Sequence, residues 1–162
     1  MAPRSFFFIV LLLTAAFPVG AADGPQGDRY VGYYYPPPAA IETYVARART
    51  MADSDRRRRI GFVTALERDL GKRPYAPTIT YFVKSGKASK LIIIATSAGR
   101  LDTIYRVRAL LASLTASART TPVFRNAKVD DLFTFLDLLK MLGFESVTVS
   151  DGDKFAHQVL IK

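Results

Sequence analysis

The chain has 162 residues, no cysteine, one histidine and a formal net charge of +9 at pH 7. The missing cysteine excludes disulfides, thiolate nucleophiles, thiolate metal sites and a lipidated N-terminal cysteine. The basic balance selects anions as partners: phospholipid head groups, acidic glycans or an acidic protein.

Residues 1–22 read as an export signal. Arg4 supplies the positive n-region. Phe6 to Phe17 form an apolar run too short to span a bilayer and of the right length for a signal core. Pro18 ends it, and Val19-Gly20-Ala21 places small residues where a signal peptidase needs them. Cleavage is expected after Ala21 or Ala22, delivering a periplasmic protein with no further transmembrane segment. The n-region's single arginine favours unfolded secretion over the twin-arginine route. Outside the cytoplasm nucleic acid is not an expected partner, and neither ATP nor GTP is at hand. Removing Arg4 leaves 22 Lys and Arg against 14 Asp and Glu, a net of +8, on a chain of one-domain length.

Residues 23–40 form a Tyr- and Pro-rich leader without helical period, and Pro36-Pro37-Pro38 favours an extended conformation. Tyr33, Tyr34 and Tyr35 stand just before those prolines. Either they dock a partner, or they lie across the protein's own surface and tie down the N-terminus. The folded domain then covers residues 41–162. Ile41, Thr43, Val45 and Ala48 sit in a β-forming stretch, a first strand. Asp53, Ser54 or Asp55 caps a helix whose Ile60, Val63, Leu66 and Leu70 make one apolar face. Gly71 suits its C-terminal cap, and Pro74 and Pro77 forbid continuation.

Thr78 to Lys84 and Lys90 to Thr96 form a hairpin around SGKAS, the second strand apolar enough to be central. A second helix runs from about Leu101 to Ala118, ended by Thr120-Thr121-Pro122. VFRNAKV bridges to a third helix, opened by Asp130 and Asp131, closed by Gly143 and apolar nearly all round. Ser146 to Ser150 and Phe155 to Ile161 close the chain as a hairpin around Asp151-Gly152-Asp153. The expected fold is α+β: a single two-layer domain, a mainly antiparallel sheet and three helices in the order β-α-β-β-α-α-β-β.

Chemistry-bearing residues are few. His157 is a candidate general base with Ser150, Asp151 or Asp153 across the hairpin; its alternation with Phe155 and Val159 gives a structural reading instead. Asp151 and Asp153 lack the spacing of a calcium loop, so no metal is implied, and no cofactor motif is present. Ser97-Ala98-Gly99-Arg100, between a buried strand and a helix, has the position of a phosphate-binding loop but only one glycine. Arg56 to Arg59 form the densest charge run. Cations at a helix N-terminus oppose the dipole, which points to a partner. Arg56, Arg57 and Arg58, with Lys72 and Arg73, are the candidate anion- or partner-binding residues.

Together, GYYYPPP, RRRRIGFVT, ARTTPVF, DLFTFLDLLKMLGF and SDGDKFAHQV resemble small exported alphaproteobacterial proteins labelled molybdopterin-guanine dinucleotide biosynthesis protein A. The resemblance spans nearly the whole mature chain and implies a role in molybdenum-cofactor maturation. The glycine-rich L-A-G-G-x-S-x-R-M-G loop of the cytoplasmic guanylyltransferases occurs nowhere in the chain, so none of that enzyme's functional residues carries over. Two readings follow. One is a non-enzymatic periplasmic binding or accessory protein, serving an envelope or respiratory component and recognising an acidic protein or an anionic envelope surface. The alternative is the cofactor biosynthesis that the resemblance implies. A third, weaker candidate is a small hydrolase built on His157.

Overall fold

The computed structural model describes residues 30–129 and 131–162; the signal segment, residues 23–29 of the leader and Asp130 lie outside them. Five strands form one sheet: β1 (Ala40–Tyr44), β2 (Ile79–Lys84), β3 (Lys90–Ala95), β4 (Ser146–Ser150) and β5 (Ala156–Ile161). Four helices accompany them: α1 (Arg56–Gly71), α2 (Ile104–Arg119), α3 (Pro122–Ala127) and α4 (Phe135–Met141). The α+β class is as the sequence implies, but the sheet is mixed rather than mainly antiparallel. In the order β1-β5-β4-β3-β2, both hairpins are antiparallel while β3–β4 and β1–β5 are parallel. The cause is connection length. Two short turns reverse the chain, whereas the helical crossover between β3 and β4 returns it in the same direction.

Strand alternation divides the sheet into two faces. Leu91, Ile93, Val147, Val149, Val159 and Ile161 point to the helices and, with Val63, Val107, Phe124, Phe135, Leu139 and Phe144, make the main core. On the opposite face Ile92 and Ala156 form a smaller cluster with Tyr35, joined by Tyr30, Tyr34 and Phe82. The described part of the leader, from Tyr30 on, is therefore a strap over the outer face, with a tight turn between Tyr30 and Tyr35. Gly32 (φ +80°) donates to the Tyr35 carbonyl at 2.7 Å, and the Tyr30 hydroxyl accepts from the Ser85 amide at 2.7 Å. β3, covered on both faces, is central, as its apolar run requires.

Helix boundaries follow local chemistry. Asp55 caps α1, accepting from the Arg58 amide at 2.7 Å. Gly71 is the last helical residue rather than a left-handed cap, and right-handed Lys72 closes the helix. The segment expected only to bridge contains α3, for which Pro122 is pre-organised at the first turn. The last helix starts at Thr134, not at Asp130 and Asp131. There Thr134 and Asp137 form a reciprocal capping box, a stronger start signal than two acids upstream. Gly143 (φ +79°) ends it as expected: its amide donates to Lys140 and that of Phe144 to Leu139, each at 2.9 Å. In the β2–β3 turn Ser85 and Ala88, not Gly86, carry the positive φ; in the β4–β5 turn only Gly152 does.

Candidate functional site

His157 does not assemble a hydrolytic constellation. It is 1% exposed, on the helix-facing side of β5, with Nε2 3.5 Å from Glu42 Oε2. Glu42 in turn pairs with Arg108 at 3.1 Å. Ser150 and Asp151 are consumed by the turn. The Ser150 hydroxyl donates to the Phe155 carbonyl, and Asp151 Oδ1 accepts from the amides of Asp153, Lys154 and Phe155 at 2.9 Å. Burial raises the Asp151 carboxyl, but those amides outweigh it and hold the group below its usual range.

A cavity of about 810 Å³ opens where β3 and β4 end, between residues 94–99 and the β4–β5 turn. The Ser97-to-Arg100 loop forms one wall. Three carboxylates, Asp102, Asp151 and Asp153, face it against Lys154, so its field opposes a phosphate. Arg106 is turned inward onto Asp102 and the Gly99 carbonyl. Size alone does not make this the site.

The five candidate cations divide between the two ends of α1. Arg56 and Arg57 are exposed at its start, and Arg58 pairs with Asp53. Lys72, at the other end, pairs with Asp69 at 2.8 Å. Arg58 and Arg73 are roughly 20 Å apart along the axis, too far to share one small ligand. The fourth arginine of the run, Arg59, is buried and donates to the carbonyls of Lys87 (3.1 and 2.7 Å) and Leu142 (3.2 Å). Of the tyrosines, Tyr35 is buried. Tyr34 contacts Lys84 through its hydroxyl at 2.5 Å and its ring at 4.1 Å, and Tyr33 is 80% exposed.

A better site lies at Arg73. The helix layer has a seam: α1 rests on β2, while α2 packs with α3 and α4. One cavity of about 310 Å³ reaches down this seam to the sheet, lined by Leu70, Arg73, Leu110, Ser113, Ile79 and Tyr81. A second of about 320 Å³ is lined by Phe62, Leu66, Phe135 and Leu138. Leu114 and Ser117 line both, so the two are parts of one groove. On α1 the spacing of Phe62, Leu66, Asp69 and Arg73 follows one helix stripe, with Arg58 a turn before Phe62.

Tyr81 lines the groove with its ring buried, and its hydroxyl, which makes no hydrogen bond among the described residues, stays accessible. Burial, reinforced by the charge of Glu67 and opposed by Arg73, pushes its pKa up to about 12. It is therefore a neutral donor at any ordinary pH. Arg73 forms no salt bridge among the described residues, although its charge is felt by both Asp69 and Tyr81. A phenol without a hydrogen bond and a guanidinium without a salt bridge thus line the same groove. Sequence reading singled out Arg73 but missed Tyr81. The available signal was alternation in ITYFVK, which puts Tyr81 with Ile79 on the helix-covered face.

No protein-family model, curated protein or solved structure matches the chain. Among the described residues no helix is long and apolar enough to cross a membrane, and no cluster of three metal-ligating side chains occurs.

Proposed function

We propose that this is a non-enzymatic binding or accessory protein of the periplasm, and that it takes its ligand in the seam between α1 and α2. The observation that carries the reading is the pairing in one groove of Arg73, which forms no salt bridge among the described residues, and Tyr81, whose ring is buried and whose hydroxyl makes no hydrogen bond among them. Half-buried Phe62, Leu66, Leu110 and Leu114 supply apolar area along the groove. Burying such side chains fully stabilises a complex by about 1.5–3 kcal/mol each before ordering costs. The few polar groups at one end give orientation, the usual division of labour in a ligand pocket.

N-phenylnaphthylamine, an uncharged apolar fluorophore, tests the seam without assuming a ligand. Its emission should rise in the presence of the folded protein, and Leu114→Arg should abolish the rise while the far-UV spectrum is retained. No rise with the native protein, or an undiminished rise with Leu114→Arg, removes the seam as the binding site.

A further inference from the structure

We propose that the seam binds a single-chain fatty carboxylate, with its head between Arg73 and the Tyr81 hydroxyl and its chain running past Leu70, Leu110 and Leu114 toward Phe62 and Phe135. The proposal rests on the seam being the ligand site and goes further by naming the ligand's chemistry. Three observations carry it.

The first is charge. The head region offers one guanidinium without a salt bridge and one neutral phenol donor, and nothing more that is cationic and free. Lys72 is held by Asp69 at 2.8 Å. Glu67 accepts from the Thr80 hydroxyl at 3.0 Å and from the Tyr81 amide, so a carboxylate stands on the far side of the same strand. One free cation flanked by two acids suits a monovalent anion. A phosphate monoester, close to doubly charged at neutral pH, would leave a charge uncompensated.

The second is shape. The groove is sunk between the helices as far as Ile79 and Tyr81 of the sheet. An α-helix of about 10–12 Å diameter would rest on α1 and α2 without reaching that floor. A slim acyl chain reaches it, and the two cavities of about 310 and 320 Å³ adjoin at Leu114 and Ser117, between Arg73 and Phe135.

The third is the order of surfaces. The Arg73 end is the more polar, with Arg73, Tyr81 and the exposed hydroxyl of Ser113, while beyond Ser117 the wall is mainly Leu114, Leu66, Phe62, Phe135 and Leu138, with Thr120 and Thr121 at its border. Such a polar-to-apolar sequence matches an amphiphile entering tail first. Asp69 borders the apolar half but is neutralised by Lys72.

The test is displacement of N-phenylnaphthylamine from the full protein by laurate, dodecanol and dodecyl phosphate, each below its micelle concentration. Laurate should displace best. In the series from hexanoate to laurate, affinity should climb by up to about fourfold per methylene, from about 0.8 kcal/mol per buried CH₂. Arg73→Gln should weaken laurate about tenfold or more and leave dodecanol unchanged, because a hydrogen bond to a charged group is lost. Tyr81→Phe should weaken laurate severalfold at an unchanged melting temperature, which separates binding from folding. Equal displacement by laurate and dodecanol, a preference for laurate that survives Arg73→Gln, or tighter binding of dodecyl phosphate each overturns the carboxylate while the seam stands. Failure of the fluorophore itself to bind overturns the seam as well.

Discussion

The two ends of α1 meet the rest of the molecule in opposite ways. At its start the buried polar groups are used. Arg59 spans from the β2–β3 turn to the end of α4, and a Cβ on Gly143 would sit 2.7 Å from Arg59 Nη1 and 2.8 Å from the Ser54 hydroxyl oxygen. Nearby, the buried carboxylate of Asp137 accepts from the Tyr44 hydroxyl at 2.8 Å and from the amides of Arg47 (2.7 Å) and Thr134 (2.8 Å). At its other end α1 stands apart from α2 over half-buried leucines, with a phenol and a guanidinium unspent. The contrast is between polar groups tied into the fold and polar groups left facing a groove.

The largest effect should come from Asp137. Asp137→Ala removes the capping box of α4, leaves the Arg47 amide unpaired and reduces the Tyr44 hydroxyl to its bond with Thr134, a loss on the order of 3 kcal/mol in urea unfolding. The same carboxyl makes stability depend on pH. Burial raises its pKa, but the bonds from Thr134, Arg47 and Tyr44 outweigh that and leave it below the ordinary carboxylate value. A depressed folded pKa means stability fully present above about pH 4 and lost as acid protonates the group. The native protein should therefore lose stability on acidification more steeply than Asp137→Ala. Parallel acid limbs would show that this carboxylate is not linked to folding.

Next comes Arg59, which tests the stitched end directly. Arg59→Ala orphans two carbonyls and removes a packed stem, and should cost about 2–3 kcal/mol. Arg57→Ala, two residues earlier and exposed, should leave the unfolding midpoint unchanged. Equal effects would dissolve the distinction between the buried arginine and its neighbours.

Much of the layout was legible in the sequence because it rests on short-range rules. Both hairpins, the apolar faces of α1 and α2 and the Gly143 stop follow from period, propensity and backbone freedom. Pairing across long separations is not local. Nothing in AIETY says that β1 joins β5, 117 residues later in the register Ala40 to His157, rather than β2. The same limit hid the site. Arg73 stood out by charge, but its counterpart Tyr81 becomes visible only once β2 is placed under the gap between two helices. The arginine run misled in a related way, since a run of like charges does not reveal which member turns inward.

The smallest effect should come from replacing both Arg56 and Arg57 with glutamine. Both are exposed in the first turn of α1, where aligned peptide dipoles make the potential positive, and neither pairs with a carboxylate among the described residues. Removing two cations from that position relieves repulsion, so the melting temperature should rise by about 1 °C at low salt. The gain should vanish as ionic strength increases, because exposed charges are screened within about 10 Å at 0.1 M. Laurate binding should be untouched, since these residues are about 25 Å from Arg73 along the helix axis. A variant that melts several degrees lower would place Arg56 and Arg57 with Arg59 among the groups that hold the fold. A variant that binds laurate less well would extend the anion site along α1 and erase the difference between its two ends.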